Sequence, residues 1–405
     1  MIKRLVDFFS SLRLTVVLLS FALLLVFIGT LAQVKLGLYI AQAEYFRSVF
    51  VYFHPEGASW KIPVFPGGWL LGGFLLVNLI AAHIKRFKFT RKKLGIFFIH
   101  AGLILLLLGQ FFTELFQVES NIRLEEGETK NYSEDSKRCE LAVVDVSNAD
   151  HDQVFSIPET LLANGGEIRD ARLPFVVRVK NYFKNSQQAG PVSPSKGEKI
   201  QAVGEDGKPL WFSEEPLVTN MDLRNVPAAL VEFSSDKGVI GQRIASLWID
   251  EPQTFEIGGR TYQFAMRPTR YYRPYTLTLI DFRHDVYQGT GIPKNFSSKI
   301  HLSDPKRGEE RDVLIKMNDP LRYAGETFFQ ASFDPKNDKV TILQVVRNPA
   351  AATPYISCVL VGLGLLTQFL MHLVGFARKT KAQPQPIAAQ KIKPSAAAVA
   401  GGKTL

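Results

Sequence analysis

Apolar and polar positions alternate on two very different scales along this chain. Leu14–Ala32, the segment from Phe65–Trp69 (FPGGW) to Ile84, Leu94–Leu115 and Thr353–Phe376 are apolar runs of bilayer-crossing length, since a hydrocarbon core of ~30 Å needs roughly 20 helical residues at ~1.5 Å each. Between the third and fourth runs the pattern shortens. LAVVDV (Leu141–Val146), PFVVRVKNYF (Pro174–Phe183), AALVEF (Ala228–Phe233), TYQFAM (Thr261–Met266), YTLTLIDF (Tyr275–Phe282) and VTILQVV (Val340–Val346) are β-branched or aromatic stretches bounded by turn residues, which predict strands. The pattern therefore predicts a membrane protein with four transmembrane α-helices, three N-terminal and one C-terminal, carrying a large extracytoplasmic β-rich domain.

Charge fixes the expected topology. The formal net charge is +10, yet Lys85–Lys93 (KRFKFTRKK) alone contributes +6, and Arg378, Lys379, Lys381, Lys391, Lys393 and Lys403 another +6. Two membrane-flanking segments exceed the whole, so the basicity reports orientation and not a nucleic-acid partner. The expected order is an interfacial cytoplasmic segment 1–13, a three-helix membrane part 14–116 with an outside loop 34–66 and a cytoplasmic basic loop 85–93, the β-rich domain 117–350, a fourth span 351–376, and a basic, disordered cytoplasmic tail 377–405. This describes a multi-pass protein of the cytoplasmic (inner) membrane, in contact with lipid, with both termini cytoplasmic and the large domain on the periplasmic side. The first apolar run is too long for a signal-peptide core and reads as a retained span. Lys184–Lys208, rich in Gly, Pro and Ser, reads as a long loop or internal boundary.

Candidate chemistry is confined to a few side chains. Cys139 and Cys358 form neither a CxxC pair nor a disulfide framework, and no CxxCH haem-attachment motif is present. No serine triad, phosphate loop or paired-carboxylate signature stands out, so the chain by itself offers no self-contained active site. His54, His151, His284 and His301 lie outside the spans without metal-ligand spacing. His83, His100 and His372 fall within or beside them. His100 is seven residues past Lys93 and His372 six before Arg378, about 10 Å and 9 Å inward by helical rise, while His83 is two residues before Lys85 and reads equally as an interfacial side chain. Gly95, Gly102 and Gly109 recur every seven residues and predict a helix-packing seam, nearly opposite His100 at 100° per residue. Gln368 shares the face of His372. An imidazole at such depth suits a haem-iron axial ligand; an interhelical hydrogen bond is the other reading.

The chain contains GTLAQ (Gly29–Gln33), FPGGW (Phe65–Trp69), Asn78–Leu79, HAG (His100–Gly102) with Gly109, PYTLTLIDF (Pro274–Phe282), FSS (Phe296–Ser298) and NDPLRYAGETFFQASFD (Asn318–Asp334). Together these stretches resemble the ResB (CcsB) family of cytochrome c biogenesis proteins. The resemblance implies a system II subunit that, with a ResC/CcsA-type membrane partner, brings haem b across the membrane and presents it to apocytochrome c for thioether attachment. The haem would be transient and shared, and this chain non-catalytic by itself within a cytochrome c synthetase (haem lyase) complex. It places the haem ligand at His100, with His83 the alternative; His372 is added from depth and face alone. Asn318–Phe333 is a candidate contact surface. Two rival classes are a b-type cytochrome subunit and a membrane-anchored scaffold or sensor without haem.

Overall fold

A computed structural model describes residues 2–53, 60–86, 90–148, 151–190, 199–203, 209–218, 223–289 and 293–382. The helices are α1 (Ile2–Phe9), α2 (Leu12–Ala41), α3 (Gly68–Arg86), α4 (Leu94–Phe116), a short α5 (Glu159–Asn164) and α6 (Thr353–Ala382). Four of them contain segments long and apolar enough to cross a bilayer: Leu12–Leu38, Gly68–Lys85, Leu94–Phe116 and Thr353–Arg378. Three spans precede the β-rich region and one follows it, as the hydropathy pattern predicts.

Three expectations at the edges of the spans are corrected. The first apolar helix does not stop at Ala32: Val34, Leu36 and Leu38 continue it, and Gly37 absorbs a bend at φ 76°, ψ 161° that a residue with a Cβ adopts only with strain. The stretch 34–66 is thus no open loop, because Gln42–Phe46 forms a π-turn and β1 (Phe50–Phe53) pairs antiparallel with β2 (Ile62–Pro66). At the other end, helical structure runs past Phe376 to Ala382. The remainder of the tail, like His54, lies outside the described residues.

By its contacts the chain divides into two compact units, Met1–Thr15 with Leu75–Gln110 and Ala352–Leu405, and Val16–Phe74 with Phe111–Ala351. The second holds the β-rich region. Its strands are β3 (Val118–Glu125), β4 (Thr129–Asp145), β5 (Gln153–Pro158), β6 (Gly166–Ile168), β7 (Val176–Phe183), β8 (Ser186–Gly190), β9 (Lys199–Val203), β10 (Pro209–Glu214), β11 (Ala228–Ser235), β12 (Gly238–Ser246), β13 (Gln253–Ile257), β14 (Arg260–Val286), β15 (Pro293–Asp304), β16 (Glu309–Lys316), β17 (Leu321–Tyr323), β18 (Glu326–Asp334) and β19 (Asn337–Arg347). All the strand pairings are antiparallel, and the main sheet runs β16-β15-β14-β4-β3-β19-β18-β17.

Two of the buried cores share the long strand β14. The first halves of β14 and the second half of β4, with β5 and β13, face the four-stranded sheet β12-β11-β7-β6 across Leu141, Val143, Phe175, Val177, Val231, Phe233, Tyr262 and Phe264. Farther along β14, the sheet curls until β16 lies against β17 and β18, and encloses Ile122, Leu124, Tyr275, Leu277, Ile300, Leu302, Phe328 and Leu343. Thr261–Met266 and Tyr275–Phe282, which read as separate strands, are therefore parts of one strand. The pairing slips between Pro268 and Arg270 and between Tyr272 and Leu277, where Pro268 and Pro274 lack the ladder N–H. Lys184–Lys208 is not plain loop either: β8 and β9 flank β10 in a small sheet.

The Asn318–Phe333 stretch is mixed: Asn318, Asp319, Arg322 and Phe329 are exposed, while three of its members reach the core. Leu321, Tyr323 and Phe328 are buried, and β17 turns into β18 through Ala324 (φ 51°) and Gly325 (φ 81°), the left-handed pair that a tight two-residue hairpin requires. One polar member, Glu326, is held by partners from β14. Arg273 donates from Nε and Nη2 to the two carboxylate oxygens of Glu326 at 2.6 and 3.0 Å, Tyr275 donates to the same carboxylate at 2.5 Å, and Arg273 Nη2 also donates to Ser133 Oγ at 2.8 Å.

Candidate functional site

Helix α4 carries two opposed faces, as its sequence period predicts. On one, Gly95, Gly102 and Gly109 are buried and meet α6. A methyl group on Gly95 would stand 2.7 Å from the Gly364 carbonyl oxygen and 2.9 Å from Gln368 Cβ; one on Gly102 would stand 2.9 Å from the Ser357 carbonyl oxygen and 2.7 Å from a methyl of Val361. Those separations are too short for a side chain. The bare glycine backbone lets the two helices touch, the usual device for helix association in lipid.

The opposite face of α4 carries His100, and here α3 supplies His83. The two rings lie with centroids 5.5 Å apart and planes at 70°, and their Nδ1 atoms are 3.3 Å apart. Phe97, one turn earlier on α4, places its ring 5.6 Å from that of His83. With both imidazoles neutral, a single Nδ1–H bridges the pair, one ring donating and the other accepting. It follows that the donor ring carries its lone pair on Nε2 and the acceptor ring carries an N–H there. A ring whose Nδ1–H is fixed by a hydrogen bond and whose Nε2 presents a lone pair is the tautomer that ligates iron or zinc.

Helix α3 is itself fixed from its other side. Asn78, 2% exposed, accepts a hydrogen bond from Thr15 Oγ1 at 2.6 Å and donates to the carbonyls of Phe9 and Ser11 at 2.6 and 3.2 Å. Those groups sit at the break between α1 and α2, where the backbone has polar atoms to spare. One heptad on, Lys85 pairs with Asp7 of α1. Asn78 and Lys85 thus share the face toward α1. His83, 140° from Asn78 and 160° from Lys85 at about 100° per residue, is left for α4.

The structure brings His83 and His100 together and leaves His372 apart. Contacts of Gly95, Gly102 and Gly109 with Gly364/Gln368, Ser357/Val361 and Thr353 set the antiparallel register of α4 and α6. By that register the level of His100 falls near Val361, so His372 lies about 16 Å farther along at ~1.5 Å per residue. It also belongs to the helix on the glycine side. The equal depth expected for His100 and His372 is therefore not seen; His372 bonds instead to Gln368 of its own helix, Nε2 to Nε2 at 2.8 Å. Measuring each histidine from its nearest flanking cation treated the helices as equal rulers, whereas their packing sets the levels. Asn78, the polar residue that organises α3, had a sequence signal in its isolation among apolar neighbours; it entered the sequence reading only as part of a motif.

In the β-rich unit the histidines have other partners. His301 faces Asp312 through Nδ1 at 2.9 Å and Glu310 through Nε2 at 3.1 Å, and the two carboxylates raise its pKa, Asp312 first. His284 stacks on Phe296, with centroids 4.8 Å apart and planes at 2°. A cavity of about 180 Å³ is lined by Lys137, Arg138, Cys139, Glu159, Lys184 and Asn225 among others. Among the described residues, no group of three or more His, Cys, Asp or Glu side chains is placed to hold a metal ion.

Comparison with known proteins bears on the β-rich unit first. Residues 236–342, from the β11–β12 turn into β19, match the ResB-like family, which bears out the resemblance read from the sequence. Protein NrfI of Wolinella succinogenes is 32% identical over 125 residues, which are 31% of this chain and 13% of that protein. The match thus spans only about an eighth of the relative's length. Among solved structures, the cytochrome c heme lyase CcmF is similar over 74% of this chain and 30% of its own, at 12% identity and a TM-score of 0.19, below the level of a shared fold.

Proposed function

We propose that this ResB-like chain serves cytochrome c biogenesis of the system II type, holding haem b at the His83–His100 pair for a ResC/CcsA-type membrane partner and apocytochrome c. The single observation that carries the proposal is the hydrogen-bonded imidazole pair on two helices of membrane-spanning character. The donor set fits haem: a neutral nitrogen ligand needs no buried charge, and its neighbour's imidazole fixes the tautomer. His100 would ligate the iron and His83 would orient it, with Phe97 walling the site from water. Bound haem supplies the macrocycle to which the apocytochrome cysteines become joined. The rest is done by the chain. The basic segment between α3 and α4 and the basic end of α6 orient the spans with both termini in the cytoplasm, which puts the β-rich unit on the outer side.

The b-type cytochrome alternative gains nothing from the geometry, since one histidine pair at one level provides no second site across the membrane. The scaffold alternative is separated by experiment. Purified protein, alone and with its partner, is compared by visible spectroscopy as wild type, His100→Ala, His83→Ala and His372→Ala. Loss of the haem b spectrum in His100→Ala, its return with added imidazole and its persistence in His372→Ala are expected. A wild type that carries no haem even with the partner, or three variants that all retain it, makes the chain a scaffold.

A further inference from the structure

The face of α4 that carries His100 extends two turns toward the helix start and ends on a cation. Lys93 closes the one-turn helix Arg91–Lys93, its N–H bonding the Thr90 carbonyl at 2.8 Å, and Leu94 continues it with helical angles (φ −59°, ψ −40°). Seven residues separate Lys93 from His100, about 20° around the helix and about 10 Å along it. Ile96 and Phe97 lie between them. Read along the helix, this face is a cation, an apolar floor and an imidazole, all directed away from the glycine seam.

Two other cations of the same basic run, Lys85 and Arg91, are differently placed. Lys85 lies on the α1 side of α3 and is paired with Asp7. Arg91, nine residues before His100, falls half a turn away, on the seam side of α4. Lys93 is exposed and forms no ion pair among the described residues. An aligned ligand would have a nitrogen-seeking centre within a flat apolar body and carboxylates at one edge only.

We infer that Lys93 is the carboxylate-binding residue of the His83–His100 site and receives a propionate of the haem. The inference rests on the haem reading above and adds the orientation: propionate edge toward the loop between α3 and α4, iron toward the bilayer interior. A plain topological role for Lys93 would make it interchangeable with Arg91.

The test is a Soret titration of the full-length protein in detergent with haem b and with haem b dimethyl ester, in which both propionates are blocked. The proteins are wild type, Lys93→Gln, Lys93→Arg, Arg91→Gln and His100→Ala. Lys93→Gln is expected to weaken haem binding about 5- to 10-fold, the scale of one partly exposed charge-assisted hydrogen bond, while leaving the ester unchanged. Lys93→Arg should retain wild-type affinity, and so should Arg91→Gln. Equal losses in Lys93→Gln and Arg91→Gln, an equal loss for acid and ester, or no loss in Lys93→Gln while His100→Ala abolishes binding each overturn the inference and leave the haem reading standing. Absence of haem binding by wild type overturns both.

Discussion

Removing the carboxylate of Glu326 is the sharpest test of how the β-rich unit is held together. Arg273 has 5% of its side chain exposed and Glu326 15%, and the guanidinium gives two of its hydrogen bonds to that carboxylate, a third to Ser133 and a fourth to the Tyr271 carbonyl at 3.1 Å. In Glu326→Ala the cation stays buried with neutral acceptors only, and the Tyr275 hydroxyl loses its acceptor. Breaking such a pair from one side costs about 3–5 kcal/mol, which for a domain of this size lowers the unfolding midpoint by about 6–20 °C. Thermal unfolding of the full-length protein in detergent, followed by tryptophan fluorescence, reads this through Trp211 and Trp248 of the β-rich unit. Arg283–Asp281, with 72% and 44% of the side chains exposed, is the internal control: Asp281→Ala should cost at most about 1 kcal/mol. Replacing both buried partners, Arg273→Met with Glu326→Leu, should recover about half the loss or more, since the desolvation of two charges disappears with them. If Glu326→Ala falls within 1 kcal/mol of wild type, or no further than Asp281→Ala, the pair is not what closes the sheet.

Two further outcomes follow from titrating groups of the same unit. Burial pushes the Cys139 thiol up to about 11, against a hydrogen bond from Arg224 Nη2 at 3.0 Å that favours the thiolate. At pH 8 a maleimide should therefore modify it at least about 100-fold more slowly than a free thiol, and peptide mass spectrometry should show the rate still rising above pH 9; a plateau near pH 8.5 refutes the assignment. His301 is raised by Asp312 and Glu310, so what it contributes to stability is fully present below about pH 6.5 and is lost as pH rises through its folded value. Its ring resonances should titrate above 6.5, and Asp312→Asn should bring the midpoint down; a wild-type midpoint at or below 6.5 contradicts the paired geometry.

Much of this architecture is legible in the sequence because membranes impose coarse rules. A helix in lipid must be about 20 apolar residues long and its flanks carry the charge, so four runs and two basic segments suffice to find the spans. The errors fall where a local rule gives way to packing. Gly29–Gln33 reads as a span end, yet the apolar positions Val34, Leu36 and Leu38 continue the helix beyond it, and Gly37 supplies the bend. Thr261–Met266 and Tyr275–Phe282 read as separate strands; β14 runs through both, slipping register against β4 near Pro268 and Pro274, because its two halves belong to different cores.

The same contrast explains the histidines. Seven-residue spacing of Gly95, Gly102 and Gly109 fixes which side of α4 meets a neighbour, and by subtraction which side His100 occupies; that inference needs only the helical period. Which helix stands opposite His100 cannot come from period alone. It depends on Asn78 and Lys85 turning one side of α3 toward α1, which leaves His83 on the side facing α4. Distance from the flanking cations, Lys85, Lys93 and Arg378, made His83 look interfacial and made His372 look level with His100. Lys85, however, is drawn to Asp7, so its position says little about the depth of the residue beside it. The pairing of His83 with His100 is therefore a property of three helices at once, held by a buried asparagine on one side of α3 and displayed on the other.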